Sequence, residues 1–354
     1  MPLQEELFES VRGGCPPSTR YQGSKQKLLP WIWENLSKIP FYSVLDAFGG
    51  TGSVSYMLKR QCKQVTFNDY LKSNYLSALA LVENEKSRFP EEELPAAMVR
   101  QPNREYASLI QENYHDIYYT DEENRWLDTV VQNISAIDNE NERALAFHSL
   151  FQSCIVKRPY NLFHRKNLYM RTADVERRFG NKATWDTPFQ VHFERFISES
   201  NSAVFDSGVK CRALNSDVLK VGGEFDLVYM DPPYINSSGV GVDYFEFYHF
   251  LEGLANYGTW EERIDRGRKH RPLMGPTSLW SSSKTIHDAF RKLFRRFSDS
   301  VLVVSYRSDG LPSCSTLVSL LEEVKAHVDV VHYGEYKYVL SKNGESKEML
   351  IIAQ

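Results

Sequence analysis

No apolar run in the 354 residues approaches the roughly 20 that a membrane helix requires, and the start, MPLQEELFES, has neither the basic nor the apolar region of a secretory signal. A cytoplasmic protein without a membrane role is expected. Cysteine is scarce: Cys15, Cys62, Cys154, Cys211 and Cys314 are scattered, odd in number and without CxxC pairing, which argues against a zinc site and for reduced, buried thiols. No metal is expected. The dinucleotide motif GxGxxG and the phosphate-loop motif GxxxxGK[ST] are both missing, so bound pyrophosphate or triphosphate is not indicated. Internal repeats and low-complexity segments are also lacking. Charge of one sign does not dominate, since the net charge is −4, and a content of 42% hydrophobic and 25% charged residues excludes disorder, collagen and coiled coil.

The near-neutral total conceals segregation, and partners feel local fields rather than the sum. From Glu83 to Glu142 the chain carries 15 acidic residues against 5 basic ones. Lys157 to Arg178 holds 7 Lys and Arg against 2 acids, and Arg263 to Arg296 holds 10 against 2. Two basic stretches far apart in sequence read as two walls of a groove for a polyanion, or as solvated helix faces.

Short apolar runs alternate with helical patterns. Val44 to Phe48 reads as a strand breaking into Gly49-Gly50-Thr51-Gly52, with a helix over Ser53 to Arg60. Gln64 to Asp69 reads as a second strand, followed by a helical run from Tyr70 to Lys86. Further strands are predicted at Val209–Leu214, Phe225–Met230, Ser300–Tyr306, Val328–Tyr333 and Met349–Ala353, with helices over Lys284–Phe297 and Ser315–His327. Strands alternating with helices imply a doubly wound parallel sheet, which the tail from Val328 could close as an antiparallel hairpin. The rhythm breaks between about Asn84 and Asp206, so three segments are expected: a first catalytic segment over 1–83, an inserted, mainly helical domain over 84–206, and a second catalytic segment over 207–354.

Ligands of such sheets bind at the carboxyl ends of the strands, where Asp46-Ala47-Phe48-Gly49-Gly50-Thr51-Gly52 falls and where glycine lets the backbone pass close to a ligand. The same turn could serve packing alone. Asp69, 17 residues beyond Gly52, ends the second strand where an acid commonly accepts from ribose hydroxyls; a helix N-cap is its other reading. Asp231-Pro232-Pro233-Tyr234 follows an apolar strand directly, and its two prolines clamp a carboxylate and an aromatic at the sheet edge, where chemistry is usually done.

Taken in order, Tyr21-Gln22-Gly23-Ser24-Lys25, the glycine turn and DPPY resemble the Dam-like alpha group of DNA adenine methyltransferases. The resemblance implies a Rossmann-like class I methyltransferase sheet with an inserted target-recognition domain. It also implies methyl transfer from S-adenosylmethionine to the N6 amine of an adenine flipped out of double-stranded DNA. The context would be restriction–modification, phage defence or a phage, with a cognate restriction endonuclease acting separately. Position by position, it sets Tyr21 and Lys25 over the methionine part of the cofactor and Asp46 facing its amino group. Phe48, Gly50 and Gly52 match the FxGxG pattern, Asp69 the ribose acid, and Asp217, followed by Val218, the acid that receives the adenine amino group of the cofactor. Asp231, Pro232 and Tyr234 would hold the target adenine. Ser24 departs from the glycine that many relatives have there. Related tetrapeptides serve planar amines generally, so RNA adenine, cytosine N4 or a protein amide is an alternative acceptor, and an inactive binding protein on the same fold is another reading.

The run from Lys157 to Arg171 mixes cations, aromatics and amides, which suit phosphates and base edges. Lys157, Arg158, Asn161, Arg165, Lys166 and Arg171 are its candidate DNA contacts, with Arg177, Arg178, Asn181 and Lys182 as an extension. Arg268, Lys269 and Arg271 are the candidates from the second basic run. Tyr244, Phe245, Phe247, Tyr248 and Phe250 are spaced as core residues are, and His249 reads as structural.

Overall fold

The apolar runs bounded by turn residues become strands of one sheet. The computed structural model describes residues 23–175, 182–236, 239, 241–275, 278–334 and 347–354, so Cys15, Tyr21, Arg177, Arg178 and Asn181 lie outside the described residues. Seven strands form the sheet: β1 (Ser43–Asp46), β2 (Gln64–Asp69), β3 (Arg212–Asn215), β4 (Leu227–Met230), β5 (Val301–Arg307), β6 (Val328–His332) and β7 (Glu348–Ala353). Their order is β3-β2-β1-β4-β5-β7-β6. The first five run parallel, while β7 is antiparallel to both neighbours, which is the closing hairpin expected from the tail.

Strand limits follow the predicted ones within a few residues; the largest difference is β3, which begins at Arg212 rather than Val209. The helix expected over 284–297 spans Ile286–Arg296, and that expected over 315–327 stops at Glu322. The run after β2 is α-helical only over Lys72–Ala78 and continues as a π-turn through Glu83. One face of the sheet is covered by the Ile286–Arg296 and Cys314–Glu322 helices. Their Ile286, Phe290, Leu293, Phe294, Leu317 and Leu321 share a core with Leu45, Val228, Leu302, Val304 and Ile351.

The chain divides into two units. One comprises Lys25–Tyr70, Gly208–Asp243 and Pro276–Gln354 and holds the sheet; the other takes in Leu71–Ser207 and Tyr244–Gly275. The described residues of 84–206 fall in the second unit and are mainly helical, with Asp121–Ser135, Glu140–Val156 and Phe189–Ala203 as its long helices. The segment Tyr244–Gly275 also belongs there, although its sequence position suggested the second catalytic segment. The cause is aromatic packing: Phe250 stacks on Phe163 at 5.1 Å and meets Tyr114, Tyr118 and Trp260 edge-on. Of the aromatics spaced as core residues, Tyr248 and Phe250 are buried and Tyr244, Phe245 and Phe247 half-buried, and His249 is buried as a structural residue would be.

Among the described cysteines Cys154 and Cys211 are buried, but Cys62 is exposed, against the expectation of buried thiols, because it sits in the turn after the Ser53–Arg60 helix with φ at +55°. No helix among the described residues is long and apolar enough to cross a membrane.

The turn after β1 is fixed by close packing. A Cβ on Gly49 would lie 2.0 Å from the ring of Phe67, which is wholly buried in β2. Gly49→Ala should therefore lower stability by about 1–3 kcal/mol through overpacking, read as a fall in the denaturation midpoint at unchanged slope. An unaltered midpoint would contradict this account of the turn.

Candidate active site

Parallel register brings acidic residues from separate strands to one edge. Asp46 stands opposite Phe67 of β2 and Tyr229 of β4, and Asp69 opposite Asn215 of β3. With strands about 4.8 Å apart, Asp46, Asp69 and Asp231 are neighbours at the carboxyl end. The turn between β1 and its helix is tied at several points. Gly49 N donates to Asn68 O at 2.9 Å, Asn68 Nδ2 to Ala47 O at 3.1 Å, and Gly52 N to Gly49 O at 2.8 Å. Gly50 and Gly52 are left-handed, at φ +53° and +73°, a conformation that glycine adopts without strain.

Asp69 Oδ2 accepts from Gly50 N at 2.8 Å, so this carboxylate holds the glycine turn. The helix that follows has Leu71 at its N-cap. Asp217 caps the short turn Val218–Lys220 by accepting from Leu219 N at 3.0 Å, and Val218 lies in the sheet core. Phe48 is half-buried and meets Trp280 edge-on at 4.7 Å.

Asp46 is buried and accepts from Ser55 Oγ at 2.7 Å. Burial raises its carboxyl to about 7, against the Ser55 hydrogen bond, with the charges of Asp231 and Asp69 adding to the rise. Asp231 is pushed up to about 6, again first by burial, with Lys25 opposing and Glu348 reinforcing. Lys25 Nζ lies 3.1 Å from Asp231 Oδ1 and 2.7 Å from Glu348 Oε1, and it donates to the Tyr234 hydroxyl. Burial disfavours the Lys25 ammonium, but the two carboxylates outweigh that and hold it protonated above the ordinary lysine range. The Tyr234 hydroxyl donates to Asp231 Oδ1 at 2.7 Å, and its ring meets Tyr306 edge-on at 5.3 Å. Lys25, assigned with the cofactor residues, thus stands against the side chains of DPPY. Pro232 is buried beside them.

The basic segments divide into buried and exposed cations. Lys157, Arg158 and Arg171 are buried and bonded within their own unit, Arg171 through its two terminal guanidinium nitrogens, which corrects their assignment as direct DNA contacts. Lys157 Nζ donates to Trp185 O at 2.8 Å and pairs with Glu123 at 3.0 Å, and Arg171 forms a two-pronged pair with Glu123 at 2.6 and 2.9 Å. Arg158 donates to the carbonyls of Tyr118, Leu162 and Arg165 and to Asn167 Oδ1, clamping the loop that follows it. That loop carries two left-handed non-glycine residues, Tyr160 and Asn161, at φ +62° and +59°. It presents an exposed Tyr160 together with Arg165 and Lys166. Lys166 pairs with Asp116 at 2.8 Å, and Lys182 with Asp186 at 2.6 Å.

The second basic segment lies beside the first within the same unit. The Tyr118 hydroxyl is 2.5 Å from Phe163 O and 2.7 Å from His270 O, bridging the two. Arg268 and Lys269 are exposed, Arg268 against Glu246, whereas half-buried Arg271 donates to Asn113 O.

A family model for D12 class N6 adenine-specific DNA methyltransferases matches residues 21–306, which include the glycine turn and DPPY. The chain belongs to that family. A type II methyltransferase, M2.HphI of Haemophilus parahaemolyticus, is 27% identical over 348 residues, covering 96% of this chain and 98% of that protein. M.NlaIII of Neisseria lactamica is 24% identical over 339 residues, covering 92% and 95%. The modification methylase StsI of Streptococcus sanguinis is 26% identical over 373 residues, and the chain spans 52% of its length. Membership answers the question the tetrapeptide left open: the acceptor is adenine, in DNA.

Two residues at the site of this adenine-specific DNA methyltransferase escaped sequence reasoning. Glu348 reads as the polar start of an edge hairpin, one position before the predicted strand, and Trp280 sits among serines with no periodic pattern. Only the lone charge abutting the apolar run Met349 to Ala353 could have drawn attention to Glu348.

Asp46 and Asp231 titrate higher in the folded methyltransferase than in the unfolded chain. Their contribution to stability is therefore complete below about pH 4 and is lost as pH rises through about 6 for Asp231 and about 7 for Asp46. Asp46→Asn should stabilise the ligand-free protein at pH 8 by on the order of 3 kcal/mol and do little at pH 4, where the acid is already neutral. Equal effects at both pH values in thermal unfolding would refute the buried-charge account.

Proposed function

We propose that the chain transfers a methyl group from S-adenosylmethionine to N6 of an adenine flipped out of double-stranded DNA. We further propose that it belongs to the Dam-like alpha group, whose order of cofactor motif, long insertion and DPPY it shares. The observation that carries this reading is the adjacency of Asp231 and Tyr234 to the glycine turn along one sheet edge. The glycine turn suits the cofactor: a Cβ added to Gly50 would meet only Phe48 O, at 3.9 Å, so the space beside the turn is open. Asp46, Asp69 and Asp217 offer carboxylates there to a cationic ligand rich in hydroxyl and amine donors. Phe48, Gly50, Gly52 and Val218 would line the same place, and Tyr21 belongs to this set by sequence alone.

S-adenosylmethionine supplies an electrophilic methyl on a sulfonium leaving group. The work of the chain is to aim the amine. An adenine amine is a poor nucleophile because its lone pair is delocalised into the ring. Asp231 accepting one amine hydrogen, and the Pro232 carbonyl the other, favours a more tetrahedral nitrogen with its lone pair turned to the methyl group. This role requires no raised pKa of Asp231; burial raises it to about 6, which leaves it ionised at neutral pH. Extruding the base costs a few kcal/mol, and stacking on the Tyr234 ring would return roughly 1–3 kcal/mol.

The exposed loops carrying Asn161, Arg165, Lys166, Arg268 and Lys269, with Arg271 at their margin, are assigned to DNA, and the unit that bears them to target recognition. Exposed Tyr160 and Tyr169 add faces for bases. The names of the relatives, type II methyltransferases and a modification methylase, support a restriction–modification setting; a cytoplasmic location and an endonuclease acting separately are the expectations that go with it.

Asp231→Ala should abolish methyl incorporation into duplex DNA while leaving S-adenosylmethionine affinity nearly intact by calorimetry. Normal turnover would overturn the assignment. Arg165→Ala with Lys269→Ala should leave the melting temperature unchanged and reduce the slope of log K against log salt by about 2, one for each phosphate no longer neutralised. Arg158→Ala should instead destabilise the fold by about 3 kcal/mol or more, because buried acceptors lose their donor. A salt slope untouched by the double substitution would remove the DNA assignment of these loops.

A further inference from the structure

Asp231 Oδ1 is already engaged by two donors of the chain itself, the Tyr234 hydroxyl at 2.7 Å and the Lys25 ammonium at 3.1 Å. Any further donor to that oxygen competes with these two. The same two donors share a second acceptor. Glu348 Oε1 lies 2.7 Å from Lys25 Nζ and 3.2 Å from the Tyr234 hydroxyl, and it is fixed from the other side by Ser305 Oγ at 2.8 Å. Glu348 is wholly buried and is the one charged residue of β7. A carboxylate in such a place persists only where donors compensate it.

We propose that Glu348 is a positioning residue for methyl transfer, holding the Lys25 ammonium and the Tyr234 hydroxyl so that Oδ1 of Asp231 is released to accept the adenine amine. This rests on the function proposed above. No bond forms or breaks at Glu348 and no proton leaves it; hydrogen-bond partners are exchanged. As the amine arrives, Lys25 and Tyr234 turn wholly to Glu348, and Asp231 trades their donors for the amine hydrogen. Without the Glu348 charge, both donors would stay on Asp231 and compete with the substrate. Among the described residues, the other ionisable groups facing the cluster include Tyr229 of β4, Tyr306 of β5, Asp46 of β1 with Asp69 beyond it, and Arg307, which lies opposite Glu348 in the β5–β7 ladder and pairs with Asp309 at 2.8 Å.

Glu348→Gln keeps the shape and an acceptor for Ser305 but removes the charge. Its kcat should fall roughly 10–100-fold, the loss of one hydrogen bond between charged groups, with the dissociation constant for S-adenosylmethionine within about twofold of wild type by calorimetry. The acid limb of kcat/KM should move to lower pH, because the Glu348 charge is one of the causes that raise Asp231. Glu348→Asp keeps the charge and withdraws it by one methylene, so kcat should fall while the acid limb stays. Wild-type kcat in Glu348→Gln, or a lower kcat with an unmoved acid limb, overturns the positioning role and leaves a structural one. Should Glu348→Gln fail to fold, Glu348→Asp decides: wild-type kcat overturns the role, and a reduced kcat at unchanged cofactor affinity supports it. A wild-type chain that transfers no methyl to duplex adenine overturns the underlying function and this inference with it.

Discussion

Burial of negative charge at the carboxyl edge of the sheet is the constraint on which the site depends. Asp46, Asp231 and Glu348 are brought together by strand register, with Asp69 beside them, and Lys25 is the ammonium set among them. Each carboxylate taken out of water must find donors or shift toward neutrality. Lys25 goes to Asp231 and Glu348, so Asp46 has the uncharged donors of Ser55, hydroxyl and main chain, against the repulsion of its neighbours. An edge that buries more anionic than cationic groups is complementary to a cationic ligand. Such a ligand would relieve the residual strain of Asp46, so the cost of burying its charge and the proposed affinity for a positively charged methyl donor would have one cause.

The basic segments show the same economy in reverse. Counting charges along Lys157 to Arg178 predicts a uniformly cationic face, whereas Lys157, Arg158 and Arg171 are inside, bound to carbonyls and to Glu123. Long basic side chains can cap many main-chain oxygens at once, which suits a segment whose described residues are largely loop. What reaches the surface is the smaller set carried by the loops these cations hold. Tyr118, near the middle of an acidic stretch, joins the two basic segments through a hydroxyl set between their carbonyls.

The sheet was legible because its signals are local. Alternation of apolar runs with helical patterns, a glycine turn after β1 and acids at strand ends follow from periodicity and turn chemistry, and the observed order of strands agrees with them. Charge sign was legible too, but not burial, since a run such as Lys157-Arg158-Pro159-Tyr160 looks alike whether its cations face solvent or carbonyls. Glu348 was illegible for a related reason: a single acid before an apolar strand reads as a solvated strand end, and only pairing of β7 with β5 brings it against Ser305 and Lys25. The grouping of Tyr244–Gly275 with the helical unit depends on aromatic contacts with Tyr114, Tyr118 and Phe163, residues more than 80 positions away, which no local pattern encodes.

The left-handed pair Tyr160 and Asn161 ties the buried cations to the exposed ones. A non-glycine residue in that region costs of order 1–3 kcal/mol, and two in succession persist only where the surroundings over-determine them. Arg158 provides the over-determination, since its guanidinium gathers the carbonyls of Leu162 and Arg165 and the side chain of Asn167 around one buried centre. The shape of the loop is thereby set from beneath, independently of what its outward side chains touch. Exchanging Arg165 or Lys166 alters the groups offered to a polyanion on an unchanged frame, whereas exchanging Arg158 moves the frame and every contact it carries. The fold of this segment and its proposed DNA contacts are consequently separable, although the residues assigned to each alternate within a dozen positions of one sequence.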